Sequence, residues 1–292
     1  MLRGLSALAK PDAQALSFPQ KYAACGSIMI ICHRYRFIFV KTRKTAGTSV
    51  ELSLSPFLEP GDLAMPLAPD EEKMRLVKPG VRVQRMYGIG RSGMPRELKT
   101  HSSLACCFDL LGKRVRDYKV ISLCRNPWDK AVSHFFWSMR DTGVKDLAFV
   151  DQRNAFIDFT NRKGPRRWYD KLLGRMPPKA LDGNYRLYSV KGLPRIDFVL
   201  RYEFLSNDLA QLANYLGLPS VPELAKFKAK TGLRPKRTRH WTEYYDTQTR
   251  QLVAEHARGE VELFGYDFAG NQLPVGPRLD RKLGCGRPLA AA

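Results

Sequence analysis

Three short apolar runs constrain the fold of this chain more than any other feature. They are Arg36-Phe-Ile-Phe-Val-Lys41, Tyr118-Lys-Val-Ile-Ser-Leu-Cys124 and Ile196-Asp-Phe-Val-Leu-Arg201. Each is dense in β-branched and aromatic residues and gives way to a polar stretch, as strands buried on both faces do. A helical pattern follows each, over Val50–Leu54, Pro127–Met139 and Leu205–Leu216. Strands alternating with helices predict an α/β fold: a three-layer, mostly parallel central sheet with helices on both faces.

Helix boundaries can be read from local chemistry. Thr48 or Ser49 is expected to cap the first helix. Asn126 is expected to cap the second, with Pro127 at its first position and Asp129 in its first turn. Gly217 stops the third. Further helices are expected from Ser102 or Ser103 to Leu111, over Asp146–Thr160 and over Thr247–Phe264, with a short one near Asp70–Arg75. Pro56–Glu97 is otherwise a long irregular excursion, and residues 161–180 and 226–239 are basic loops. The chain divides into a loosely ordered lead-in (1–27), one domain (28–269) and a flexible tail (270–292).

Composition narrows the function classes. Forty-nine Lys and Arg stand against 28 Asp and Glu, a formal charge of +21, so an anionic partner is expected: nucleic acid, a membrane surface or a phosphorylated small molecule. The 44% hydrophobic content excludes a disordered chain. No apolar run reaches the roughly 18 residues that span a bilayer. Six cysteines form no CxxC pair and no metal-ligand spacing with the five histidines, which points to a reducing, cytoplasmic compartment and no metal. Met1–Gln20 lacks the apolar stretch of a secretory signal.

Two loops carry the chemistry. Lys44-Thr45-Ala46-Gly47-Thr48-Ser49 joins a strand to a helix, where backbone N–H groups and the helix dipole favour an anion. Gly47 admits a phosphate close to the backbone, the hydroxyls add donors, and Lys44 sets a cation at the lip. The order differs from the G-x-x-x-x-G-K-[ST] loop of nucleotide triphosphatases: Lys44 precedes the glycine, and the early glycine is missing. Arg125 leaves the C-terminal end of the second strand, the edge where open α/β sheets bind ligands, and Ser133 follows on the next helix. An Arg with a hydroxyl suits a second phosphate. Together the loops suggest a ligand with two separated phosphate groups. Read singly, each is also compatible with an ordinary turn and a surface Arg.

These residues resemble the sulfotransferases. Val40–Glu51 is similar to their 5′-phosphosulfate loop, usually written PKTAGTS, and Val120–Ser133 to their 3′-phosphate motif, with its RNPWDRxVS run. Lys99–Ala105 is similar to a KHxTA-like segment, and Asp197–Asp208 to a DFVxRxExLxxD segment. Arg237–Tyr245 and Glu262–Phe268 are similar to the family's closing segment. The resemblance spans residues 30–268 in order, and its branch is the carbohydrate-type, family-2 sulfotransferases that also occur in bacteria. Arg43 stands where Pro is usual.

The resemblance implies a P-loop-NTPase-like sulfotransferase fold and 3′-phosphoadenosine 5′-phosphosulfate (PAPS) as donor. Its 5′ end would lie in the loop from Arg43 to Ser49, and its 3′-phosphate would meet Arg125 and Ser133. Arg237 and Arg239 would be second-line phosphate ligands. Lys44 would stabilise charge on the bridging oxygen. The acceptor would be a hydroxyl of a sugar or glycolipid, with peripheral membrane contact as a further use of the basic surface. His101, with a near-neutral pKa at a helix N-terminus, is the best candidate base, and a capping role for it stays open. Glu51 is a weaker alternative base. His33 and His134 read as structural, and Glu203 as holding the fold together. His240 could contact donor or acceptor. A phosphate-loop nucleotide kinase or NTPase and a basic nucleic-acid-binding protein remain as alternatives.

Overall fold

The structure is a computed structural model and describes residues 30–84, 87–89, 95–97, 104, 107, 111–161, 183–224, 233–235, 239–270 and 278–279. Six strands make one sheet: β1 (Ile30–Cys32), β2 (Phe37–Val40), β3 (Leu63–Ala64), β4 (Arg82–Val83), β5 (Lys119–Cys124) and β6 (Phe198–Arg201). Their spatial order is β6-β5-β2-β1-β3-β4. The three apolar runs lie side by side and parallel, with Phe39 opposite Ile121 and Ile121 opposite Phe198. β1 pairs antiparallel with both β2 and β3, and β3 pairs parallel with β4. The sheet is therefore mixed, with β1 alone reversed. A tight turn causes the reversal: Arg36, just before β2, has φ +49° and folds β2 back along β1. Two antiparallel pairs lie outside this sheet, Tyr87–Ile89 with Pro95–Glu97 and Ser189–Val190 with Leu193–Pro194.

Successive strand residues point to opposite faces, and two apolar clusters result. Ile38, Val40, Val120, Cys124 and Val199 face one way. They meet α3 (Pro127–Ser138), α4 (Phe149–Asn161), α6 (Thr247–His256) and α7 (Arg258–Phe264) through Val132, Phe135, Phe156, Val253 and Phe264. Phe37, Phe39, Ile121, Leu123, Phe198 and Leu200 face the other way, against α1 (Gly47–Leu54) and α5 (Leu205–Leu216). The chain is α/β with helices on both sides of its sheet. A four-residue helix, α2 (Pro69–Glu72), sits in the Pro56–Glu97 excursion.

Several boundaries differ from the sequence reading. The expected helix over Thr247–Phe264 breaks at Ala257. After the break Gly259 lies so close to Tyr185 that a Cβ there would stand 2.7 Å from the ring. The expected Asp146–Thr160 helix begins as a short 3₁₀ turn, Val144–Asp146, and becomes α-helical at Phe149. Of the Ser102–Leu111 helix, Cys107 and Leu111 are helical and buried, and its expected caps lie outside the described residues. So do residues 1–27 and most of the tail. Within that tail Arg278 bridges to Phe198, and buried Leu279 donates its N–H to the Asp197 carbonyl at 3.0 Å.

Under the first strand–helix turn lies a buried ion network. Glu51, fully buried on α1, accepts from Lys41 Nζ at 3.1 Å and Arg75 Nη2 at 2.8 Å. Arg75 also bonds Glu72, the Ser55 hydroxyl and the Met65 carbonyl, so it ties the excursion to α1.

Candidate anion site at the ends of the parallel strands

The loop after β2 is set by its backbone. Lys44 (φ +58°) and Ala46 (φ +63°) both adopt the left-handed conformation, which costs a non-glycine residue about 1–3 kcal/mol. Asn184, itself buried, accepts from the Arg43 N–H at 2.9 Å and donates to the Arg43 carbonyl at 3.2 Å. The Thr42 hydroxyl donates to the Leu123 carbonyl at 2.8 Å and fixes the loop to β5. These bonds supply the enthalpy that holds two strained residues in place.

The helix start differs from expectation. The residue before α1 is left-handed Ala46, and neither Thr48 nor Ser49 caps the helix through its side chain. Among the described residues the leading N–H groups of α1 therefore have no capping side chain, as at a helix end shaped for an anion. Gly47 is required by space rather than by φ. A Cβ there would meet Lys41 Cγ at 2.6 Å and the Thr42 carbonyl oxygen at 3.3 Å. The Thr45 hydroxyl, expected to face a ligand, turns inward: it lies 2.7 Å from the Thr42 hydroxyl and 3.2 Å from the Thr42 carbonyl oxygen. Since the Thr42 proton goes to Leu123, Thr45 supplies the proton between the two hydroxyls. Thr45 can offer a ligand its backbone N–H but not its hydroxyl proton. Thr48 is buried, and Ser49 is half-buried.

The second loop has its expected cap. The Asn126 side chain accepts from the N–H groups of Trp128 and Asp129 at the start of α3. Its amide also donates to the Asp267 carbonyl at 3.0 Å. Glu203 accepts from the Asn126 N–H at 2.7 Å and from the Tyr266 hydroxyl at 3.1 Å, a structural role.

Arg125 joins the two loops. Its Nη1 donates to the Lys44 carbonyl at 3.0 Å, its Nε lies 2.6 Å from Asp129 Oδ2, and its guanidinium covers the Tyr202 ring at 3.9 Å. Only 7% of Arg125 is exposed, so it presents charge more than an open fork. Arg234, from the basic loop, holds the other oxygen of Asp129 at 2.7 Å. Burial pushes the Asp129 carboxyl up, and the two guanidiniums outweigh that and hold it below its ordinary value. One carboxylate thus faces two guanidiniums, and the local balance stays positive.

Ser133 and Trp137 follow Asp129 at helical spacing on one face of α3. Ser133 is half-buried. The Lys44 ammonium lies 5.5 Å from the centroid of the Trp137 ring, so the loop and that face of α3 meet. His134 is half-buried, bonded through Nδ1 to the Ser138 hydroxyl at 3.0 Å. Burial, then the cations of Lys44, Arg43 and Lys130, push it down to about 4, so it is neutral at pH 7. Glu51, the alternative base, is fully buried and committed to Lys41 and Arg75.

The structure therefore brings Arg43, Lys44, Thr45, Ala46, Gly47, Thr48 and Ser49 together with Arg125, and sets Ser133 on the facing helix. Arg239 is not brought in. It is exposed, 3.4 Å from Glu243 and 5.3 Å from the Phe149 ring centroid, with no bond to the loop among the described residues. His240 is also exposed, with Nδ1 2.7 Å from the Thr242 hydroxyl. His101 and Arg237 lie outside the described residues. The sequence reading missed Asn184, Arg234 and Trp137. Asn184 and Arg234 act across 141 and 105 residues, and no local pattern marks them. Trp137 carries a faint signal, an aromatic one turn beyond Ser133. Among the described residues no group of three His, Cys, Asp or Glu could hold a metal, and no helix is long and apolar enough to cross a membrane. The chain matches no family model, no curated protein and no solved structure.

Proposed function

We propose that this chain is a PAPS-dependent sulfotransferase acting on a hydroxyl of a carbohydrate or glycolipid, and that its sheet belongs to the three-layer, P-loop-NTPase-like sulfotransferase fold. One observation carries the reading: two anion-type loops leave the ends of adjacent parallel strands, and the Arg125 bond to the Lys44 carbonyl joins them. A donor with a 5′-phosphosulfate and a 3′-phosphate needs two such loops at a fixed separation.

In this reading the uncapped start of α1 receives the 5′ end, and the Arg125–Ser133 side receives the 3′-phosphate. The acceptor oxygen attacks sulfur in line, and the bond from sulfur to the bridging oxygen breaks. Adenosine 3′,5′-bisphosphate leaves with that electron pair, and the acceptor proton passes to a base. Lys44 stabilises the negative charge that grows on the bridging oxygen. His101 is retained as the candidate base, tested by loss of turnover in His101→Ala with nucleotide binding kept.

Titration with adenosine 3′,5′-bisphosphate and transfer of label from radioactive PAPS to an acceptor panel test the assignment. The expected results are micromolar binding and a sulfated product. Absence of binding overturns the assignment. Lys44→Ala is expected to lower turnover about 10²-fold or more with affinity changed only a few-fold, as for loss of a group acting in the transition state. Magnesium-dependent ATP turnover would instead place the chain among phosphate-loop kinases, and a steeply salt-dependent shift with arbitrary DNA among nucleic-acid binders.

A further inference from the structure

Five exposed cations crowd the end of the sheet opposite the two anion-type loops. Arg34 and Arg36 lie on the tight turn from β1 to β2, and Lys113, Arg114 and Arg116 on a short 3₁₀ helix, Gly112–Asp117, that leads into β5. The two segments are neighbours, because β2 and β5 lie side by side about 4.8 Å apart. Lys119, the first residue of β5, donates its N–H to the Arg36 carbonyl at 2.7 Å, and the His33 ring bonds the Tyr118 hydroxyl.

The carboxylates at this end do not balance these charges. Asp62 is buried and accepts from the N–H groups of His33 and Glu59. Glu59 holds Lys78 at 2.6 Å and lies 4.0 Å from Arg34. Asp117 is the one acid on the two segments. Among the described residues Arg36, Lys113, Arg114 and Arg116 make no side-chain hydrogen bond or ion pair. Lys73, Arg239 and Arg258, exposed elsewhere, each meet a carboxylate three or four positions away. The surplus charge is felt inside the fold: burial lowers the pKa of His33, Asp62 raises it, and Arg114 and Arg82 lower it again. Grouped cations repel one another and favour an external anion.

The cations are exposed on a turn and a short helix rather than gathered around a buried group, which suits a flat anionic surface better than a small ion. The exposed aromatic side chains, Trp137, Tyr202 and Phe204, lie on other segments, so among the described residues this end has no exposed ring on which a base could stack. Half-buried Tyr35, with the Arg34 guanidinium 5.6 Å from its ring centroid, is amphipathic in the way of side chains that sit at headgroup level. About five Lys and Arg in one cluster are enough to hold anionic headgroups.

We propose that this end of the sheet is a docking surface for an anionic phospholipid bilayer. The candidate site lies at the other end of β5, whose six residues span about 20 Å. Docking therefore holds the mouth of the loops away from the bilayer, open to a glycan that stands out from the surface rather than to a headgroup within it. That consequence rests on the sulfotransferase reading, whereas the docking does not.

Co-sedimentation of the whole protein with vesicles tests the proposal, with phosphatidylcholine alone and with phosphatidylcholine mixed with phosphatidylserine. Binding to the mixed vesicles only is expected. The fourfold variant Arg36→Gln, Lys113→Gln, Arg114→Gln, Arg116→Gln should lower the partition coefficient about 10²-fold or more. Arg114→Gln with Arg116→Gln, which leaves the β1–β2 turn intact, should lower it about tenfold or more. A control variant, Lys73→Gln, Lys145→Gln, Arg186→Gln, Arg258→Gln, removes the same charge from exposed positions on other segments and should change it only a few-fold. Equal loss in the two fourfold variants overturns the proposal, since total charge would then be responsible. So does equal binding to both kinds of vesicle, or binding to neither. Duplex DNA bound more tightly than vesicles, and lost only in the first variant, would overturn the bilayer in favour of a nucleic acid. Adenosine 3′,5′-bisphosphate titration of the wild-type protein is read separately: its failure removes the sulfotransferase reading and leaves the vesicle result to decide the docking.

Discussion

A methyl group added at Gly47 would sit 2.6 Å from Lys41 Cγ, and that side chain cannot swing aside, because its ammonium is held by buried Glu51 at 3.1 Å. Gly47→Ala is therefore expected to cost about 1–3 kcal/mol, the usual range for overpacking, read as a lowered urea midpoint. Weaker adenosine 3′,5′-bisphosphate binding should accompany it, since the loop must open to fit the methyl. His134 gives a second residue-scale outcome. Its pKa is pushed from 6.5 to about 4, so below pH 6.5 the unfolded chain takes up a proton that the folded one refuses. Stability should fall as pH drops through the window from 6.5 to 4, by about 2 kcal/mol between pH 7 and 5. His134→Gln should remove that part of the slope in urea melts at the two pH values. A slope unchanged by the substitution would show that His134 titrates normally. At this scale the sequence was most legible where a residue acts on its neighbours. Asn126 and Pro127 announce a helix start because every atom involved lies within three positions. Thr45 misled because the inward turn of its hydroxyl is decided by Thr42 and by a carbonyl on another strand.

The elements divide along the same line. β2, β5 and β6 were legible because burial on both faces leaves a continuous apolar run, and α5 because Gly217 ends it in the left-handed conformation. The reversal of β1 was not legible, since it depends on a left-handed Arg36 that no glycine advertises. The start of α1 was hidden for the same reason: Ala46 occupies a conformation in which a glycine or asparagine would be expected. The Asn126 cap can be tested as an element property. Asn126→Ala removes acceptors for two α3 N–H groups and the bond to Asp267, and should lower stability by about 1–2 kcal/mol. Thermal melting would show this. A midpoint within a degree of wild type would mean that the first turn of α3 finds its acceptors elsewhere.

Across the whole molecule the +21 charge acts at longer range than any contact. The cations nearest the site are largely committed: Arg125 to Asp129 and Lys44, Arg234 to Asp129, Lys130 to Glu260. The surplus of cations over carboxylates supplies a field that reaches beyond these bonds, and a field of that kind speeds the arrival of a polyanion and is screened by salt. Association of adenosine 3′,5′-bisphosphate should slow about tenfold or more between 20 mM and 500 mM salt, with a smaller change in dissociation. Stopped-flow binding would separate the two. An association rate indifferent to salt would show that the surplus cations face away from the site. Composition announces this charge, but the masking of individual cations by partners far along the chain could be seen only in the fold.

The grip of Asn184 on Arg43 has a consequence for how the protein is made. The loop and the residue that shapes it are 141 positions apart, and Asn126 waits equally long for the Asp267 carbonyl. At about 5–20 residues per second, a ribosome delivers those partners roughly 7–30 s after the loop itself. Until then the emerging chain carries the residues of the anion site without the bonds that hold Lys44 and Ala46 in their left-handed turns. The candidate site is therefore among the last parts of the molecule to take shape, and a chain released early would hold the loop's sequence but not its left-handed turns.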